Sequence, residues 1–320
     1  MDITRSMSTN RRGLEGCNDA SDREGRVGPT ARVALAVAAL LAVTSLSAFG
    51  SASAQAASSN ASKRLPATIQ SRGYFSVAIL SDYAPYTFIG ANQKPAGLDI
   101  DLLSAVAKEL GVTVRWTPIQ FSAMISAVAN GRFDVAAAGI GDFTSREKVV
   151  NIVDSYITKD GLVTWAGNPL HLSAKSSLCG LHLGEAAGAI EIDLISVLSK
   201  KCVASGKPAI SDSVFESTSA IFLAIKDHRV QASPFDMATA VYLTKHQYPG
   251  LVAVTGTLPG SESLDGYVVA EKDTQLAKAL EWAVQKLIVS GEYRQILSKW
   301  GVAKNGLKSS SINDAAHYSF

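Results

Sequence analysis

The chain has 320 residues, with 30 Lys and Arg against 28 Asp and Glu and a formal net charge of +2. So even a balance excludes the strong positive field by which a protein holds nucleic acid or an anionic surface. The length leaves room for two compact lobes.

The first feature along the chain is a targeting segment. Residues 33–50 form an apolar, Ala/Leu-rich run preceded by Arg23, Arg26 and Arg32 and followed by Ala52-Ser53-Ala54. A basic flank, an apolar core and a small-residue motif mark a secretory signal peptide, here residues 1–54 with cleavage near Ala54. No Cys directly follows the run, so no lipid attachment is expected, and Cys17 would leave with the signal. Arg11-Arg12 lies too far from the apolar core to read as a twin-arginine signal. No other apolar run reaches spanning length. The expected product is periplasmic or secreted. In that oxidising setting the remaining pair, Cys179 and Cys202, is a disulfide candidate. The five His are scattered and the Cys spacing fits no zinc pattern, so no metal or cofactor is expected.

Beyond the signal, short apolar runs alternate with helical periods. Residues 75–80 predict a strand. Residues 98–110 predict a helix, with Leu102, Leu103, Val106 and Leu110 on one face and Gly111 as its stop. A strand (112–116), a helix (122–130) and a strand (133–138) follow. The second set has strands at 161–165, 181–185, 209–211, 230–233 and 251–254. Helices at 190–202, 217–227 and 237–246 lie among them. A last strand, 266–270, precedes helices 273–290 and 292–300. This alternation predicts an α/β fold with mostly parallel sheets covered by helices. Residues 303–320 are Ser/Lys/Asn-rich without periodicity and are expected to be disordered.

The segment 131–156 carries the most chemistry. Val135 to Ala138 is apolar enough for a buried strand. Gly139 and Gly141 allow a turn and a close approach by a ligand. Thr144 followed by Glu147 reads as a capping box. Arg146 then falls in the first turn of a helix, where free N–H groups favour an anion. A guanidinium beside them suits bidentate capture of a carboxylate. Pairing of Arg146 with Asp142, or exposure of Arg146 to solvent, is the alternative.

These residues fall into an ordered set. It includes Asp82-Tyr-Ala-Pro-Tyr-Thr-Phe88, Gly97-Leu-Asp-Ile-Asp-Leu102, Gly131-Arg-Phe-Asp134, the run from Gly139 through Arg146, and Val149-Val-Asn-Ile-Val-Asp-Ser-Tyr156. Leu183-Gly-Glu-Ala-Ala-Gly188, His228-Arg-Val-Gln-Ala-Ser-Pro-Phe-Asp236 and Gly291-Glu-Tyr-Arg-Gln-Ile-Leu-Ser-Lys-Trp-Gly301 follow. The chain resembles the extracellular solute-binding proteins of polar amino acid ABC transporters, the group that includes histidine- and glutamine-binding proteins. The resemblance spans about residues 68 to 302. It implies a type II periplasmic-binding fold with two crossing strands. Lobe one would take 65–158 plus 263–302, and lobe two 159–262. Such a protein works as a monomer, holds an amino-acid-like ligand between the lobes and passes it to a membrane permease.

Site residues follow from the same resemblance. Arg146 matches the clamp for the ligand α-carboxylate. Asp236 and the backbone of Gly139 match partners of the α-ammonium. Tyr83 and Phe121 match the aromatic residues that sandwich the ligand. Gly188 and Ala189 match a lobe-two turn whose N–H groups meet the carboxylate. Tyr83 and Phe121 as core residues, and Asp236 as a helix N-cap, are the alternatives. The chain departs from the pattern at Gly141, Phe143 and Ala189, where hydroxyl residues are usual; Thr144 is placed to substitute. Leu80 stands where binders of basic amino acids carry Asp. That argues against a basic ligand unless Asp82, Asp142 or Glu185 takes over. The alternative function is a cyclohexadienyl or arogenate dehydratase, with Glu185 as proton donor.

Overall fold

The computed structural model describes residues 61–315 apart from Thr255. The expected signal peptide lies outside the described residues. Helix α1 (Ala67–Arg72) leads into β1 (Tyr74–Ile79). A small antiparallel sheet follows, made of β2 (Asp82–Tyr83), β3 (Thr87–Ile89) and β4 (Pro95–Ala96). Then come α2 (Leu98–Glu109), β5 (Thr113–Pro118), α3 (Met124–Ala129), β6 (Val135–Gly141), the short α4 (Thr144–Glu147) and β7 (Val150–Thr158).

The chain crosses through Lys159 into β8 (Asp160–Thr164). The second lobe continues with β9 (His182–Ala186), α5 (Glu191–Ala204), β10 (Ser211–Phe215), α6 (Thr218–Lys226), β11 (Ala232–Asp236), α7 (Met237–His246) and β12 (Val252–Val254). It returns with β13 (Ser263–Ala270) and ends on α8 (Thr274–Ser290) and α9 (Glu292–Lys299).

The two five-stranded sheets have orders β5-β1-β6-β13-β7 and β10-β9-β11-β8-β12. Both are mixed rather than mostly parallel. In the first, β13 lies antiparallel between β6 and β7; in the second, β8 runs antiparallel to both β11 and β12. The crossing segments are the cause, because a strand that enters from the other lobe arrives at the opposite end of the sheet. The nine-residue β7 is buried along nearly its whole length. It lacks the alternation that marks a half-exposed strand, and the periodicity above passes over it. Each lobe has its own core, including Phe75, Leu102, Val106 and Leu280 in the first and Ile221, Phe222 and Leu243 in the second. Full burial of each large side chain contributes about 1.5–3 kcal/mol.

Two further expectations need correction. Thr144 does not cap α4; Phe143 holds the N-cap position, no side-chain cap bond forms, and Thr144 is exposed. The Glu147 carboxylate instead accepts from the Ala315 backbone N–H at 3.1 Å. The tail is also ordered as far as it is described. Residues 303–315 include a 3-10 turn (Ala303–Asn305), an antiparallel bridge between Ile312 and Val153, and a buried Ala315. Its Ser and Asn side chains satisfy the open edge of β7 and nearby buried carboxyls, a task for which apolar periodicity is no guide.

The disulfide expected between Cys179 and Cys202 is present, with Cα atoms 5.5 Å apart. It ties the approach to β9 to the last turn of α5. Among the described residues, no helix is long and apolar enough to cross a membrane.

Candidate ligand-binding site

Topology brings the charged residues of both lobes to one edge. Glu185 and Asp236 lie at the carboxyl ends of parallel strands β9 and β11. Asp160 opens antiparallel β8 and is the register partner of Asp236. Asp265 pairs in register with Gly141 at the carboxyl end of β6. Carboxyl ends of strands in open α/β sheets are where such folds place ligands. Here they line a cavity of about 70 Å³ between the lobes.

Arg146 is the cationic residue among the described residues lining this cavity. It is only 8% exposed. Its guanidinium donates to the Gly141 carbonyl (2.8 Å) and, across the cleft, to the Gly188 carbonyl (3.3 Å). The rings of Phe121 and Phe143 lie 5.8 and 5.3 Å from its central carbon. No salt bridge among the described residues includes Arg146, which sets aside pairing with Asp142. Burial draws its pKa down while Glu191 and Asp265 oppose that shift. A guanidinium nevertheless remains charged.

Against this single cation stand Asp160, Glu185, Glu191, Asp236 and Asp265, with Glu216 exposed at the rim. Burial is the main force raising the pKa values of Asp160, Glu185, Asp236 and Asp265, and repulsion from neighbouring carboxylates adds to it; burial also raises Glu191, against the pull of Arg146. Asp236 reaches about 6 and Asp265 about 7. Asp160 and Glu185 are pushed well above the usual carboxylate range. Glu185 is 1% exposed, and its Oε1 has no hydrogen-bond partner. An unpaired carboxyl in a dry wall is expensive, so this is a place that a cationic donor would relieve. No group of three or more His, Cys, Asp or Glu side chains among the described residues is arranged to hold a metal ion.

The positions singled out in the sequence divide. Tyr83, Phe121, Gly139, Gly141, Arg146, Ala189 and Asp236 line the cavity, whereas Thr144 and Gly188 do not. Tyr83 stacks on Tyr86 with centroids 5.5 Å apart and meets Phe235 of the other lobe at 5.9 Å. Gly139 N–H donates to buried Asp99 at 3.1 Å. Asp236 does cap α7, accepting from Thr239 N–H at 2.8 Å, while its second oxygen accepts from the Tyr86 hydroxyl at 3.3 Å. It is therefore both an N-cap and a cavity wall.

The lobe-two turn differs from expectation. Ala189 N–H is used within the turn by the Ala186 carbonyl, and Gly188 turns its carbonyl toward Arg146. Gly188 has φ +80, and a Cβ there would lie 3.1 Å from the Ser122 Cα of the facing lobe. Glycine is needed for both reasons. Of the three carboxylates named as substitutes for Leu80, only Glu185 reaches the cavity. Asp82 accepts from the Ser219 backbone and hydroxyl, and Asp142 accepts from Asp314 N–H. Asp160, Glu191 and Asp265 carry no mark in the sequence pattern. The first and last sit beside the crossings, where sequence offers no periodic signal.

Residues 75–303 match the family model described as bacterial extracellular solute-binding proteins, family 3. An arginine-binding protein of Corynebacterium glutamicum is 23% identical over 256 residues, covering 78% of this chain and 81% of that protein. An ancestral arginine-binding protein bound to glutamine superposes with a TM-score of 0.65 at 28% identity, covering 72% of this chain and 99% of that one. An ancestral amino acid-binding protein described as a precursor of cyclohexadienyl dehydratase gives 0.64 at 24% identity, covering 73% and 97%.

Proposed function

Because the chain belongs to family 3 of the bacterial extracellular solute-binding proteins, we propose that it captures a net-cationic, amino-acid-like solute between its lobes. It then delivers that solute, as a monomer in the periplasm or at the cell surface, to the permease of an ABC importer. The observation that carries the ligand class is the excess of buried carboxyls around one unpaired guanidinium. Arg146 takes the α-carboxylate and Asp236 the α-ammonium. A zwitterion needs no more than that pair. Asp160, Glu185, Glu191 and Asp265 remain, and a second positive group on the ligand offsets their repulsion. Tyr83 and Phe121 supply apolar walls for the stem between the two cations. The arginine-binding relative agrees with this class. The shortage at Leu80 is thus met from the second lobe.

A thermal-shift screen of amino acids and amines tests the proposal. Ligand that binds only the folded state raises the melting temperature with its concentration. Basic amino acids should give the largest shifts. A screen in which acidic or neutral amino acids lead would refute the cationic class.

A second reading has one observation in its favour. Burial pushes the pKa of Glu185 up, and the carboxyl faces the cavity, the two features a general acid needs. Incubation with prephenate or arogenate, followed for phenylpyruvate or phenylalanine, separates the two. A binding protein leaves both substrates unchanged.

A further inference from the structure

The turn that carries Arg146 is held at both ends by the chain's last described residues. Asp142 and Glu147 bracket it. Asp142 Oδ2 accepts from Asp314 N–H at 2.8 Å, and Glu147 Oε1 accepts from the next N–H, that of Ala315, at 3.1 Å. The tail is fixed in turn to the edge of β7. Asn313 Oδ1 accepts from Ile152 N–H (2.7 Å), Ile152 O accepts from Asn313 N–H (3.0 Å), and Ser311 Oγ donates to Asp154 Oδ2 (2.6 Å). Further back, Ser310 N–H reaches Gln285 and Leu307 N–H reaches the Tyr293 hydroxyl.

We infer that residues 307–315 act as a strap that positions Arg146 for the ligand carboxylate, through Asp142 and Glu147. Arg146 itself bonds Gly141, the residue just before Asp142, so a shift of that end displaces the guanidinium directly. Asp142 and Asp154 are both fully buried, and each has one oxygen, Oδ1, that no donor reaches. Burial, with Asp154 and Glu147 nearby, lifts Asp142 to about 8, and burial lifts Asp154 to about 7.

The inference rests on Arg146 being the carboxylate clamp, so its test has one arm that needs no ligand. Two full-length variants are compared with the parent. Asp142→Ala/Glu147→Ala removes both acceptors, whereas Asp142→Asn/Glu147→Gln keeps an oxygen for each strap N–H. Hydrogen exchange is followed at the turn amides of Arg146, Glu147 and Val149, which are bonded within the turn. Exchange there should be about tenfold faster in the alanine variant, parent-like in the amide variant, and unchanged in β1 in both. Parent-like protection in the alanine variant would overturn the strap, and so would equal loss in both variants. Glu147→Ala alone serves if the double variant does not fold.

The second arm titrates L-arginine and agmatine, its analogue without the carboxylate. The alanine variant should lose about tenfold for L-arginine, equivalent to about 1.4 kcal/mol, and less than about threefold for agmatine. Equal losses would mean that the strap only stabilises its lobe, against the inference. If the parent binds neither compound, the proposed ligand class fails, and exchange alone decides the strap.

Discussion

The Phe143 ring lies against Gly141 in the space that a side chain at Gly141 would fill. The two departures from the family pattern are therefore one exchange: a small residue makes room for a ring that also stacks beside Arg146. Gly141→Ser alone should overpack the wall and destabilise by about 1–3 kcal/mol. Gly141→Ser with Phe143→Thr should recover most of that loss. Urea unfolding of the three proteins measures it; a single variant as stable as the parent would contradict the exchange.

Arg146 and Asp236 should each be required for binding, with different side effects. Arg146→Ala leaves a ligand carboxylate unpaired in a dry cleft and should weaken binding by about 2–5 kcal/mol, or roughly 30- to several-thousand-fold. Arg146→Lys should recover little, because an ammonium cannot reproduce a two-pronged grip. Asp236 also caps α7, so Asp236→Ala should lose about 1 kcal/mol of stability besides affinity. Asp236→Asn keeps the cap and removes the charge. Calorimetry on folded Asp236→Asn should still show the affinity loss; undiminished binding would leave Asp236 as a cap alone.

Stability should fall as pH rises toward 8. Asp99 and Asp265 are raised to about 7 and Asp236 to about 6, from a reference of 3.8. Between those values the folded state binds more protons than the unfolded state. These groups therefore contribute full stability below about pH 4 and lose it as pH passes through 6 to 7. Melting of the ligand-free protein should be lower at pH 8.5 than at pH 5.5. A cationic ligand should narrow the difference and release protons on binding, seen as a dependence of binding heat on buffer ionisation enthalpy. A melting temperature that climbs over this range would contradict the buried acid wall.

The disulfide lies outside the cavity lining. Reduction should remove about 3 kcal/mol of stability on the chain-entropy model and leave ligand affinity nearly unchanged. Two free thiols in the denatured, unreduced protein would show that the bond does not form in solution.

Much of this was legible because it is local. The apolar run of β6, the glycines at its carboxyl end and Arg146 form one continuous stretch, and the helical period of α2 shows on its face. Long-range features were less visible. Asp160 and Asp265 are brought to the cavity by the crossing segments, and their partners lie about one hundred residues away, as with Asp265 and Thr158. The strap was hidden because its bonds come from Ser, Asn and backbone groups, which carry no hydrophobic period. Its composition matched a disordered tail until β7 gave it an edge to satisfy.

Calorimetric titration with L-arginine and L-citrulline, which share a shape and differ in the charge of the distal group, tests the acid-lined cavity most directly. L-Arginine should bind at least about tenfold more tightly, a difference of about 1.4 kcal/mol, and Glu185→Gln should narrow the gap. Equal or tighter binding of L-citrulline by the parent would show that the buried carboxyls do not select a cationic ligand.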